Sequence, residues 1–342
     1  MKDLIFDLCT LSGVSGSEYS VSGYCADYLK RYTDDVSVDY NNNVIAVLGN
    51  INADRTILLD AHLDRIGLIV TQITDDGFLK VAKIGGVDLR TCLDSAVIVH
   101  GKEDVKGVIC CMPPHLSDGN EDKAPKPENL TIDLGLPAEK VKEFVSLGDT
   151  VSFYKQPKEL INNRVTATAL DNRAGVASLL KVAELLDGKD VSYKVIILLS
   201  CQEETYQTGA KTAPFGFDID ECVAVDVSFA AQPEISGMYS NIKLGKGPML
   251  CISPIIDKPM YNRFKELCEQ NDINYQVEVC AGRTGTNADC IAIMKSGVRT
   301  MLVSVPEKNM HTQAEIVSLD DVLDTAKVIS EYIISGGVDY EL

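Results

Sequence analysis

The sequence predicts an α/β protein: a mixed sheet flanked by helices, with a small β-rich domain inserted into it. Three observations carry this. Strand-like and helix-like runs alternate in the first third of the chain. From about Leu68 to Leu160 helical periodicity almost disappears, and short β-branched runs alternate with turns. After Asn162 the alternation returns, as expected for a sheet covered on both faces. The expected division is therefore residues 1–67 and 162–342 for the α/β part and 68–161 for the insertion.

Taken in order, Ser17 is placed to cap a helix whose inner face is Val21, Cys25, Tyr28 and Leu29. Polar Asn41–Asn43 separates VSVDY from VIAVL and predicts a hairpin. TILLDAHLD reads as an apolar strand ending on polar residues. Within the insertion, LIVTQIT, FLKVAKIGG, SAVIVHGKEDVKGVICC and GDTVSFY are strand signals, with a short helical piece near Pro137–Phe144. The polar, proline-rich stretch MPPHLSDGNEDKAPKPENLTID predicts a surface loop. Beyond it, DNRAGVASLLKVAELL, PMYNRFKELCEQ and VLDTAKVISEYII read as helices, and Ser318 and Asp321 have capping-box spacing before the last. YKVIILLS, ECVAVDVS, YQVEVC and VRTMLVSVP read as strands.

The composition narrows the function. With 342 residues, 45% of them hydrophobic, the chain can bury a sizeable core. A formal net charge of −18 repels phosphate backbones and anionic lipid, so neither nucleic acid nor membrane is an expected partner. The 11 cysteines contain no CxxC pair and read as buried, reduced thiols of a cytoplasmic protein. The N-terminal MKDLIFDLCTLSG reads as an amphipathic helix rather than a signal peptide. No apolar run reaches the roughly 18–20 residues a membrane span needs.

Chemistry in an open α/β sheet gathers at the carboxyl ends of the strands. TILLDAHLD ends in His62 and Asp64, YKVIILLSCQEE in Glu203 and Glu204, and ECVAVDVS carries Asp226. His311 follows VRTMLVSVP, and Asp171 opens a helix. All are metal-ligand residue types, and a mixed nitrogen and oxygen set suits zinc, cobalt or manganese. A bridging carboxylate holding two such ions gives the hydrolytic arrangement that activates water. Each residue also has a plainer reading. Asp171 is a natural N-cap, Asp226 a cap, Glu203–Glu204 a solvated pair, and a lone histidine a structural residue; His100 and His115 are read that way.

Several segments together resemble a known family: AHLDRIG, ALDNRAG, QEE followed by TGA, VDVS, KLGKGP, and MHT followed by EIVSLDD. In order and spacing, over nearly the whole chain, they are similar to the dinuclear-metal aminopeptidases of the tetrahedral (TET) type, metallopeptidase family 42. These include bacterial glutamyl, leucyl and lysyl aminopeptidases, and some members have been labelled endoglucanases. The resemblance implies a zinc-peptidase-like α/β domain with a PDZ-like or barrel insertion that drives dimerisation, and dimers that build a hollow dodecamer. It implies two divalent ions per subunit, with His62 and Asp226 on the first, Glu204 and His311 on the second, and Asp171 bridging them. Glu203 matches the general base, and Asp64 the carboxylate that orients the His62 imidazole. The resemblance also implies a cis peptide at Asp171–Asn172. Peptides with a free N-terminus are the implied substrates.

Three positions depart from the family pattern: Arg65 for glutamate, PEKN ahead of Met310 and His311, and Asn287 for aspartate in TGTNAD. Arg65 raises the expectation of a cation beside the metals, which would attract acidic side chains or impede metal binding. Three rival readings stay open here: another amidohydrolase on the same fold, such as a carboxypeptidase or deacylase; an inactive relative; and a glycosidase. The absence of tryptophan argues against the last.

Overall fold

Ile57 and Leu59 point to one side of their strand and Leu58 to the other, and the same alternation runs through Ile196–Leu199. Two apolar faces on one strand require cover on both sides, and the structure supplies it. The computed structural model describes residues 1–113, 115, 125–126, 129–233 and 235–340. Its centre is a mixed sheet, eleven-stranded among the described residues. Four parallel neighbours form the middle, in the order Tyr193–Ser200, Arg55–His62, Glu221–Phe229 and Arg299–Lys308. The long helices Leu170–Leu186 and Leu319–Ile334 pack on one face with the two N-terminal helices. The other face is covered by short helical pieces that contribute Ala210 and Ile291.

Ser200 is in register with His62 and Asp226 with Ser304. Parallel alignment therefore brings the ends of different strands to one rim. The hairpin around Asn41–Asn43 is present: Val36–Val38 pairs antiparallel with Val44–Gly49, and Asn42 takes φ 68 in the turn.

Strands between Gly67 and Phe153 close into a separate six-stranded antiparallel barrel with its own core, including Leu68, Val81, Val99, Ile132 and Val151. The helix Ala138–Phe144 lies against it, its Val141 buried in that core. Most of the polar loop expected within residues 112–133 lies outside the described residues, but its end is not loop: Thr131–Asp133 is a barrel strand, because Leu130 and Ile132 are buried in the barrel core.

Two predicted caps are corrected. The second helix begins at Tyr19, and Glu18, not Ser17, serves its entry: its carboxylate accepts from the Gly16 and Gln202 amides. Ser318 sits at the N-cap of the last helix but makes no capping bond. Asp321 is drawn instead to the Gly245 and Gly247 amides, at 2.7 Å each. Two converging amides of a tight glycine turn outcompete one helical amide for that carboxylate. Among the cysteines Cys111 is exposed, and Cys110, Cys280 and Cys290 are half-buried; all are free thiols. No described helix is long and apolar enough to cross a membrane.

Candidate metal centre

The rim of the parallel strands gathers every predicted ligand. His62 ends its strand and is 2% exposed, and Asp226 stands on the neighbouring strand. Asp171 begins the helix Leu170–Leu186, and its peptide bond to Asn172 is cis. Asn172 anchors the turn by donating to the Val225 carbonyl at 2.8 Å. Glu203 and Glu204 open a short helix just past Ser200. His311 lies in the turn after Arg299–Lys308, with φ 60.

These side chains form two triads that share one carboxylate. His62 Nε2 lies 3.2 Å from Asp171 Oδ1 and 3.6 Å from Asp226 Oδ1. His311 Nε2 lies 3.1 Å from Asp171 Oδ2 and 3.3 Å from Glu204 Oε1. Ligand atoms on a tetrahedral divalent ion with bonds near 2.0–2.2 Å are separated by about 3.3–3.6 Å. The donor spacing of each triad thus suits a divalent cation, and Asp171 would present one oxygen to each triad.

The charge balance agrees with that fit. Burial pulls the His62 imidazole down, but Asp171, Asp226 and Asp64 outweigh it and hold it well above its ordinary range. His311 is likewise lifted, against burial, to about 11 by Asp171 and Glu204. Burial raises Asp171, yet His311 and His62 more than compensate and leave it below the usual carboxylate range. Burial pushes Glu204 and Asp226 up. Without a bound cation, positive charge on the two imidazoles would offset part of the negative charge of the clustered carboxylates.

Asp64 accepts from the amides of Glu203 and Glu204 at 2.9 and 3.0 Å, fixing the turn that carries both acids. Its Oδ1 also lies 3.5 Å from His62 Nδ1. Glu203 lines the cavity beside the triads, and burial pushes it up to about 8. Two carboxylates escaped the sequence reading. Glu315 accepts from the Leu170 and His311 amides and so ties the Asp171 and His311 segments together. Glu278, read only as part of the strand YQVEVC, lines the cavity. It accepts from the hydroxyls of Ser228, Ser304 and Tyr239. Partners this far apart along the chain leave no local sequence signal.

The cavity over the cluster has a volume of about 230 Å³ and is walled by Ser228, Phe229, Tyr239, Thr286 and Met310. No lysine or arginine among the described residues lines it. The barrel reaches the rim too: a Cβ on Gly86 would stand 2.5 Å from His311 Nδ1.

The departures fall outside the triads. Arg65 is buried but makes no hydrogen bond to the cluster among the described residues; its guanidinium turns to the Phe153 carbonyl, 3.5 Å away. The cation expected beside the ligand cluster is thus directed elsewhere. Asn287 donates to Asp60 and Ser200 beneath the rim, and Asn309 of PEKN braces the His311 turn by donating to the Ala314 carbonyl.

Residues 42–328 match the M42 glutamyl aminopeptidase family. The lysyl aminopeptidase of Pyrococcus furiosus is 31% identical over 92% of this chain and 92% of its own. An aminopeptidase from the archaeon Desulfurococcus kamchatkensis superposes with a TM-score of 0.89 at 32% identity, covering 97% of this chain and 93% of that one. The TET1 peptidase of Pyrococcus horikoshii, which can assemble into a tetrahedron or a large octahedral shell, gives 0.86 at 30%, over 97% and 98%. This chain belongs to the M42 glutamyl aminopeptidase family, a family of hydrolases acting on peptide bonds.

Proposed function

We propose that this chain is a two-metal aminopeptidase that removes residues from the N-termini of peptides, with Glu203 as its general base. The observation that carries the reading is the pair of triads sharing Asp171, with Glu203 facing the same cavity. His62 and Asp226 would hold one ion, Glu204 and His311 the other, and Asp171 both. Zinc, cobalt or manganese suits such a set. Bound there, the cations supply a water of lowered pKa and neutralise charge on the tetrahedral oxyanion.

The chain's own residues do the rest. Glu203 takes the proton of the attacking water and passes it to the departing amine. Asp64 holds Glu203 in place through its backbone amide, so the base need not reorganise during the reaction. The carboxylates of the rim favour a free, protonated α-amine over a blocked one. Glu278, with no cation lining the cavity beside it, favours a basic first side chain. We further infer a cytoplasmic protein that self-associates through the barrel into dimers and, as in the Pyrococcus horikoshii relative, into a larger shell.

The test is amino-acid release from peptides with free or acetylated N-termini, with each metal and with a chelator. Metal-dependent cleavage of free N-termini alone is expected. Cleavage indifferent to acetylation would overturn the reading in favour of a carboxypeptidase or deacylase, and two bound metals without turnover would identify an inactive relative.

A further inference from the structure

Arg65 is 4% exposed, yet among the described residues the one hydrogen bond of its guanidinium is the long one to the Phe153 carbonyl, and its Nε finds no acceptor there. A guanidinium carries five N–H donors, and burying them unpaired is costly. Nor does its neighbourhood neutralise it well. Arg173, fully buried, stands close enough for its charge to disfavour the charged form of Arg65. Arg173 is better satisfied, donating to the Leu63 and Leu8 carbonyls at 2.8 and 2.7 Å, but its Nη2 is unpaired too. The carboxylates that balance it are engaged elsewhere: Glu315 serves the Leu170 and His311 amides, and Glu204 faces His311.

Arg65 lines a cavity of about 310 Å³ that is separate from the one over the triads. One wall comes from the end of the first helix and the turn after it, with Thr10 and Ser12. The other comes from the barrel, with Ser152 and Lys155. The one acid lining it, Asp104, is bonded to His100 Nδ1 at 2.8 Å, and His100 Nε2 meets the Ser152 hydroxyl at 2.8 Å. The lining thus combines two cations, hydroxyl groups and a carboxylate already engaged.

We propose that this cavity is a binding site for a small oxyanion, held against the Arg65 guanidinium. Its ligand is either inorganic phosphate or the carboxylate of a free amino acid; both offer the planar or forked oxygens that a guanidinium pairs best. The site does not depend on the peptidase reading, because it lies between the barrel and the N-terminal segment rather than over the triads. It does adjoin them through the chain, since Arg65 follows Asp64.

Calorimetric titration of the full-length, metal-loaded protein tests this, with inorganic phosphate and glycine as separate probes at constant ionic strength. The expected result is one saturable site per subunit for at least one probe, weakened at least tenfold in Arg65→Gln and partly restored in Arg65→Lys. Because the metals also attract oxyanions, Lys155→Gln serves as a second variant on the opposite wall, and it should weaken the same site if Arg65→Gln fails to fold. Saturation by phosphate alone identifies an inorganic ligand, and saturation by glycine alone a carboxylate. No saturable binding, or binding that neither Arg65→Gln nor Lys155→Gln alters, overturns the site and leaves the cavity to water or the oxyanion to the metals.

Discussion

Glu204 faces His311 across 3.3 Å, whereas the carboxylate of its neighbour Glu203 takes no hydrogen bond from the described residues and lines the cavity. Adjacent identical residues are thus set to different tasks by where their side chains point. Glu203→Gln preserves shape and removes the proton acceptor. It should retain both metals and lower kcat by at least about 100-fold, the lower range of general-base contributions. Steady-state kinetics beside elemental analysis decides the matter: a fully metallated variant with near-normal kcat would strip Glu203 of the role. Glu278, proposed to meet the substrate's first side chain, gives a second prediction. Glu278→Gln should lower kcat/KM for N-terminal lysine relative to leucine by about tenfold, since a charge-assisted hydrogen bond contributes about 1.5–3 kcal/mol. An unchanged lysine-to-leucine ratio would place the specificity contact elsewhere in the cavity.

At the scale of elements, the legible part of the site was the part written at strand ends. An apolar run that stops on His62 or on Glu203–Glu204 shows both its strand and its rim residue locally, and parallel pairing then brings the ends together. Bonds between distant segments were not legible. Asp321 has the spacing of a capping box, yet the glycine turn that claims it lies 74–76 residues earlier. Glu315 gives no local sign that it joins the Asp171 and His311 segments. Gly86 belongs to the same class: in sequence it ends a barrel strand signal, and in space it makes room for the His311 ring. Gly86→Ala should push the His311 ring aside, because a Cβ would lie 2.5 Å from its Nδ1. The expected outcome is loss of about one metal per subunit, the one His311 would help to hold, with the barrel's own fold intact. Two metals retained at normal affinity, measured after dialysis, would mean that the His311 turn yields without cost.

For the molecule as a whole, the cluster couples stability to pH and to metal. In the metal-free protein, burial raises Glu203 and Glu315 to about 8 and Glu18 and Asp321 to about 7, while His62 and His311 are held above their ordinary values by the surrounding carboxylates. In every one of these groups the folded state holds its proton more tightly than the unfolded chain does. Such groups give their full stabilisation below the unfolded pKa and lose it as pH rises through the folded one. For the acids that window runs from about 4 to 8, and for the histidines it begins near 6.5 and extends upward. Asp171, held below its ordinary value, acts in the opposite sense but only in stronger acid. The contributions between pH 5 and 8 therefore share one sign. The Tm of chelator-stripped protein should fall steadily across that range. Metal-loaded protein should fall less or not at all, since divalent cations replace the protons that the ligands shed and stabilise the folded state by mass action. Thermal scans of both forms at matched ionic strength separate the cases. A stripped protein that gained stability from pH 5 to 8 would show that the clustered acids are already ionised without metal, and the charge argument for two cations would lose its footing.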